Sequence, residues 1–226
     1  MKKTFYTEAA YFVGLFVLAI GTALMERGDF GMSMVVAPAY ILHRWLVEFL
    51  PFFSFGMAEY TLQFVILILL AAVMRRVKIG YLLSFVTAVL YGFMLDFCLW
   101  AASFLPTGIP ARIVFFLLGM VICSVGVALL FRTYFPPEAY ELFVKEIAAK
   151  TGAPISRVKT IYDYVSCAVG IVLSFVFFGF GVFVGVKWGT VVCALINGFM
   201  IGRIAAWMET KFDFRDRLGW KKYLGE

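Results

Sequence analysis

Three carboxylates inside apolar runs are the residues of this chain best suited to chemistry. They are Glu59, Asp96 and Asp163. An ionised carboxylate at the centre of a membrane helix costs about 2.5–3.5 kcal/mol on insertion scales. One retained there has either a partner or a task. Asp96 lies past the middle of a long apolar stretch. It is a candidate for ion or proton coupling, and the other reading places it at the outer interface. Glu59 stands beside Tyr60, and Asp163 between Tyr162 and Tyr164. An acid flanked by tyrosines can hold a solute through charge, hydroxyls and ring faces. The alternative for both is the first turn of a helix, where the dipole favours acids. Asp163 is also spaced i,i+4 from Lys159. Thr22, Gln63, Ser124 and Asn197 are neutral polar residues in apolar surroundings. Such groups either bind a solute or join helices by hydrogen bonds.

Other chemistries lack their residues. No P-loop, dinucleotide fingerprint or Ser-His-Asp set is present. His43 is the only histidine, and Cys98, Cys123, Cys167 and Cys193 form no Cys-x-x-Cys pair. The sequence therefore implies no metal, no cofactor and no disulfide framework, and no enzyme is expected.

The elements that must position these residues are membrane helices. Hydrophobic residues make up 63% of the 226 and charged residues 15%, with a mean hydropathy of +0.95. A soluble domain is roughly half apolar and a quarter charged, so lipid must solvate most of this exterior. Six spans are predicted at 8–25, 56–74, 79–104, 111–131, 161–183 and 188–207, each near the roughly 20 residues a bilayer requires. The apolar stretch after Lys2 and Lys3 resembles a signal peptide. It continues to Met25 and meets Glu26-Arg27 instead of small residues, so a retained span is expected.

The basic residues orient the spans. Fifteen of them fall on one side of a six-span arrangement, including Arg75, Arg76, Lys78, Lys150 and Lys211; only Arg27, Arg44, Arg112 and Lys187 fall on the other. The positive-inside bias puts both termini in the cytoplasm. The formal charge of +6 is thereby a matter of topology. Residues 142–162 have a faint helix-turn-helix look, but flanking spans exclude nucleic acid as a partner.

The chain also repeats itself. Gly14, Gly21, Ala23 and Leu24 recur in spacing as Gly119, Gly126, Ala128 and Leu129, and Gly92-Phe93-Met94 recurs as Gly198-Phe199-Met200. Each half holds three spans. An odd number makes the halves enter from opposite sides, which is the inverted repeat of many secondary transporters. The expected fold is an all-α polytopic membrane protein: one membrane domain over 1–226, repeat one at 8–104, repeat two at 111–207, and a cytoplasmic tail at 208–226. After its first span each half carries a short amphipathic helix opened by proline, at 38–50 and 137–150. Both are too short to span and should lie in the interface or dip into the protein. Arg44–Glu48, Glu141–Lys145 and Glu146–Lys150 are spaced as i,i+4 pairs along them. The glycines between 179 and 189 read either as a broken helix or as a tight loop. Residues 26–31 read as a solvated turn or as an entrance vestibule.

Gly21-x-Ala23-Leu24 with Gly31 and Pro38 is similar to the first segment of the YitT/YczE-type bacterial membrane proteins. Ala128-Leu129, Thr151-Gly152, the 157–163 segment and Gly189-Thr190 before Gly198 resemble the YczE/YyaS branch. In place of the usual Leu-Gly-x-x-Pro, this chain has Phe30-Gly31 and a more distant Pro38. The resemblance implies a bacterial inner-membrane protein and supplies no substrate. The function expected from the repeat is a small secondary transporter moving a small polar or amphiphilic solute at the inter-repeat interface. Two alternatives stand: a non-transporting interaction or assembly factor, and a lipid-binding or lipid-translocating protein. The expected partners are membrane lipids and a small solute of unknown identity, and the size is compatible with a homodimer.

Overall fold

The computed structural model describes residues 3–216; of Lys3, Ile155 and Ser156 only the backbone is considered. Ten elements follow in order: β1 (Lys3–Tyr6), α1 (Thr7–Gly28), α2 (Ala37–Leu46), α3 (Phe55–Met74), α4 (Ile79–Ala102), α5 (Ile109–Leu130), α6 (Ala139–Thr151), α7 (Ile155–Phe178), α8 (Trp188–Lys211) and β2 (Phe212–Arg215). Six of the helices, α1, α3, α4, α5, α7 and α8, are long and apolar enough to cross a bilayer. The chain is a multi-pass membrane protein.

The predicted spans coincide with these six except at the fifth. Helix α7 starts at Ile155, ahead of the expected 161, and stops at Phe178. Hydropathy discounted its first turn and a half because these residues include Arg157 and Lys159. The apolar residues after 178 are a loop instead, with positive φ at Gly179, Gly181 and Gly185. Ser174 ties that loop down: its Oγ donates to Val182 O (2.7 Å) and accepts from Val184 N (2.8 Å). The tail assigned to 208–226 also divides. Helix α8 runs on to Lys211, and β2 pairs in parallel with β1, Lys3 opposite Phe212 and Tyr6 opposite Arg215. Residues 217–226 lie outside the described ones. The strand pair marks one end of the bundle, called here the terminal face; the other end is the distal face.

The centre is the crossing of α1 and α5, the most extensive contact between helices. They run antiparallel, with glycines at seven-residue intervals facing each other. A Cβ on Gly21 would lie 2.6 Å from Cys123 N and 2.9 Å from Gly119 O; one on Gly119 would lie 2.7 Å from Gly21 O and 2.9 Å from Met25 N. A Cβ on Gly14 would meet Leu130 and Gly126 O, and one on Gly126 would meet Leu18 and Gly14 O. Each glycine thus meets the facing glycine's carbonyl and the residue four places beyond it. Small residues that let backbones approach are how helices associate where lipid removes the hydrophobic drive.

Around this pair the helices form an incomplete ring. Helix α4 packs on α1 and α8 on α5; α3 packs on α4, and α7 on α2 and α6. Gly56 of α3 and Gly92 of α4 meet backbone to backbone. The sequence-related Gly198 of α8 meets nothing, and α7 and α8 scarcely touch.

Candidate functional site

Two short helices bring their N-termini into the bundle from opposite faces. On the distal side the chain turns at Asp29, descends, and returns as α2. Met32 N donates to Gly185 O (2.8 Å) and Gly189 N to Phe30 O (2.9 Å). Gly31 has φ of 112°, and a Cβ there would lie 2.6 Å from Thr190 Oγ1, so glycine is required. Residues Ala37 to Ile41 are buried, while the outer end carries Arg44 exposed. Helix α2 stops at Leu46, short of the predicted 50. Glu48 therefore lies in a turn and not on the helix beside Arg44.

On the terminal side residues 131–138 descend beside α1 and α4 and return as α6. Its two prolines lack N–H donors but still present carbonyls, and hydroxyls from a span satisfy them. Thr87 Oγ1 donates to Pro136 O (3.1 Å) and Ser84 Oγ to Pro137 O (2.6 Å). Tyr11 OH lies 2.7 Å from Thr87 Oγ1. At its outer end α6 is tied to α3 and α4. Glu146 pairs with Lys78 (2.6 Å) and Arg76 (3.5 Å), and Lys150 Nζ donates to Val73 O (2.7 Å). Glu141 reaches across to Lys159. The acids that were expected to pair along this helix pair across it instead: Lys145 is exposed, and Lys150 is taken by Val73 O.

Where α6 begins, a polar cluster is sealed inside. Glu59 and Gln63 are both 0% exposed. Glu59 Oε2 accepts from Tyr140 OH at 2.9 Å, and Gln63 Oε1 accepts from Ala139 N at 3.0 Å. That amide is one of the unpaired donors of a helix start, so Gln63 caps α6 from α3. Glu138, which precedes it, is 8% exposed. Glu59 Oε1, Gln63 Nε2 and Glu138 Oε1 are buried without a hydrogen-bond partner among the described residues. Thr22 Oγ1 lies 2.9 Å from Tyr91 OH and 3.7 Å from Cys123 Sγ. Tyr91 is within electrostatic reach of both Glu59 and Glu138. The cluster therefore joins α1, α3, α4 and α6.

Of the residues singled out in the sequence, Glu59, Gln63 and Thr22 come together here. Tyr60 packs against Gly92 on the α3–α4 contact. Ser124 Oγ lies 3.0 Å from Asn197 Oδ1 and 2.9 Å from Met120 O, joining α5 to α8. Asp96 sits at the start of α3, accepting from Ser54 Oγ (2.5 Å) and Gly56 N (2.8 Å). Asp163 pairs with Lys159 (3.1 Å), which also holds Glu141 (3.2 Å), so the triad bolts α6 to α7. Tyr162 packs on Phe143, with ring centroids 5.6 Å apart. Tyr164 is 65% exposed on the outside of α7. Glu138, Tyr140 and Tyr91 were not singled out. Glu138 after two prolines reads as an ordinary helix start at a surface. Its available signal was the second proline-led insert, which places that start inside if the helix dips.

At the distal face two adjoining clefts share Glu26, Arg27 and Tyr40. One, of about 300 Å³, is also lined by His43, Phe55, Leu99 and Ser103; the other, of about 310 Å³, by Asp29, Arg44, Thr107 and Arg112. The turn at 26–31 thus contributes to the wall of an opening. Arg27 holds it in place through Ser103 O and Leu105 O. Asp29 is gripped by Arg112 (2.8 Å) and Lys187 (2.5 Å). The cleft reaches Phe55, one helical turn before Glu59 on α3. Tyr40 borders both clefts, and burial together with nearby Glu26 pushes its hydroxyl pKa well up. It stays a neutral donor at any physiological pH.

This geometry defines an α-helical multi-pass membrane protein with two dipping helices and a buried acidic cluster. The chain belongs to a family described as of unknown function (DUF6198), whose model matches residues 5–206. No curated protein and no solved structure matches it.

Proposed function

We propose that this protein is a small secondary transporter of the cytoplasmic membrane, with both termini cytoplasmic and a solute site at the Glu59–Gln63–Tyr140 cluster. The observation that carries the reading is the set of orphaned polar atoms sealed at the N-terminus of α6. A buried group without a partner costs about 1–3 kcal/mol, and a ligand that completes the hydrogen bonds returns that energy. The reciprocal glycine contacts of α1 and α5 support two inverted repeats, because exchanging Gly14 with Gly119 and Gly21 with Gly126 maps the crossing onto itself. Such repeats place the site between halves, with the starts of discontinuous helices pointing at it. The likeness to the YitT/YczE/YyaS proteins agrees with this architecture.

In this reading the distal clefts are the outer vestibule, and Phe55 with Tyr40 is its floor. The Glu141–Lys159–Asp163 triad and the Thr87 and Ser84 contacts close the cytoplasmic side. Transport then exchanges which side is closed. Small polar solutes match the cluster's chemistry, which offers carboxyls, an amide and aromatic hydroxyls as hydrogen-bond partners. The test is uptake by proteoliposomes across a panel of small polar solutes, wild type against Gln63→Ala. Accumulation by the wild type that the variant loses is the expected result. A panel without uptake, together with phospholipid co-purifying at fixed stoichiometry, would favour lipid handling instead.

A further inference from the structure

Two carboxyls, not one, are sealed at the start of α6. Glu59 comes from α3 and Glu138 from the segment before α6, where Tyr140 holds the one and Gln63 caps the helix beside the other, and Glu138 lies within reach of the Glu59 charge. Each has an oxygen without a hydrogen-bond partner. Gln63 lies one turn along α3 and acts on Glu59, and its Nε2 has no hydrogen-bond partner among the described residues. Two carboxylates in a dry site cannot both ionise, because like charges raise each other's proton affinity.

The surroundings decide how many protons the pair keeps. Tyr140 on α6, Tyr91 on α4, Tyr11 on α1, Tyr162 on α7 and Cys123 on α5 lie within electrostatic reach of one or both carboxyls. Glu141 adds a negative charge. Among the described residues Lys159 is the cation that reaches Glu138, and it is already shared by Glu141 and Asp163. A single lysine thus serves three carboxyls, Glu141, Asp163 and Glu138. On the favourable side are the Tyr140 hydroxyl on Glu59 and the first amides of α6, which stabilise one negative charge and not two. One carboxylate can be kept; the second needs a proton.

We propose that Glu59 and Glu138 together hold one exchangeable proton. The proton sits on one carboxyl or the other. On release it goes to water, leaving two buried carboxylates, one on α3 and one at the start of α6, whose repulsion loosens α6 from α3. Its use as the coupling ion rests on the transport reading above; its existence does not.

The test is infrared difference spectroscopy of the purified full chain in detergent, titrated with acid and base alone. Wild type should show the carbonyl stretch of a protonated carboxylic acid, lost as pH rises within about pH 5–9, in the range to which burial and a like charge move a carboxyl. Glu59→Gln and Glu138→Gln should each move the midpoint by about one pH unit or more, because each removes the other's partner. Tyr140→Phe withdraws the hydroxyl from Glu59 Oε2 and should shift the midpoint upward. It is the arm to read if either glutamine variant is not monodisperse. Glu141→Gln should shift it less than either pair variant. A wild-type band absent throughout, or present and unresponsive to pH, would overturn the proposal. So would a midpoint that ignores all three changes at the pair. A titrating band in protein whose proteoliposomes show no uptake would leave the proton site standing and reject the transport reading.

Discussion

Replacing Gly21 by alanine tests whether the α1–α5 crossing holds the fold together. The added Cβ would stand 2.6 Å from Cys123 N and 2.9 Å from Gly119 O, where ordinary contact begins at 3.4 Å. The shortfall is about 0.8 Å against backbone, which no rotamer can relieve. Helices α1 and α5 must part, and they cannot part locally, because Gly14 and Gly126 are also in close contact. Overpacking of this kind costs about 1–3 kcal/mol. Gly198→Ala is the matched control. It has open space within 4 Å and comes from the repeat position of Gly92. Both variants gain the same helix propensity, about 1 kcal/mol, so their difference isolates the clash. At about 2–4 °C per kcal/mol for a chain of this size, Gly21→Ala should melt about 2 to 12 °C below Gly198→Ala. The assay is monodispersity after heating in detergent, followed by size-exclusion chromatography. Equal midpoints, or a more stable Gly21→Ala, would refute the reasoning.

Cysteines introduced at Thr107 and Thr151, in a background without the four native ones, should react with an impermeant reagent from opposite sides of sealed cells; reaction from one side would break the six-span order. Asp96→Asn should lose about 1 kcal/mol, because one carbonyl oxygen replaces the two that accept from Ser54 Oγ and Gly56 N, while leaving the carboxyl band of Glu59 and Glu138 unmoved; a shifted band would make Asp96 part of the proton site. Burial lowers the pKa of His43, against a smaller opposing effect of its contact with Phe53 O. Its folded value lies below the unfolded one, so the denatured chain takes up the proton first and stability falls as pH drops below about 6.5. Melting temperatures between pH 7 and 5 should show this fall, and His43→Gln should flatten it.

The six spans were legible because lipid imposes one rule on every exposed side chain, and composition alone reveals it. Helix ends were less legible where charge enters a span, as at Arg157 and Lys159. The dipping of α2 and α6 was legible only as a choice between interface and interior. Proline at a helix start fits both, and the deciding contacts come from Thr87, Ser84 and Gly185 on other helices. The site was half visible for the same reason. Glu59, Gln63 and Thr22 stand out in apolar runs, whereas Glu138 and Tyr140 look like the polar end and apolar face of a surface helix. The β1–β2 pair had no signal, since its strands are four residues each and lie at opposite ends of the chain.

That strand pair has a consequence for synthesis. β1 emerges from the ribosome before the six spans and β2 after them. Their ladder therefore cannot close until α8 has been inserted. Parallel pairing between such distant segments is the slowest kind of contact to form. Until then β1 presents an unpaired edge at the terminal face, and such edges are sites of aberrant association. Completion of the membrane domain is thereby marked by the disappearance of a recognisable feature. A chain truncated before Phe212 would keep that edge open to proteases and chaperones for as long as it lasts.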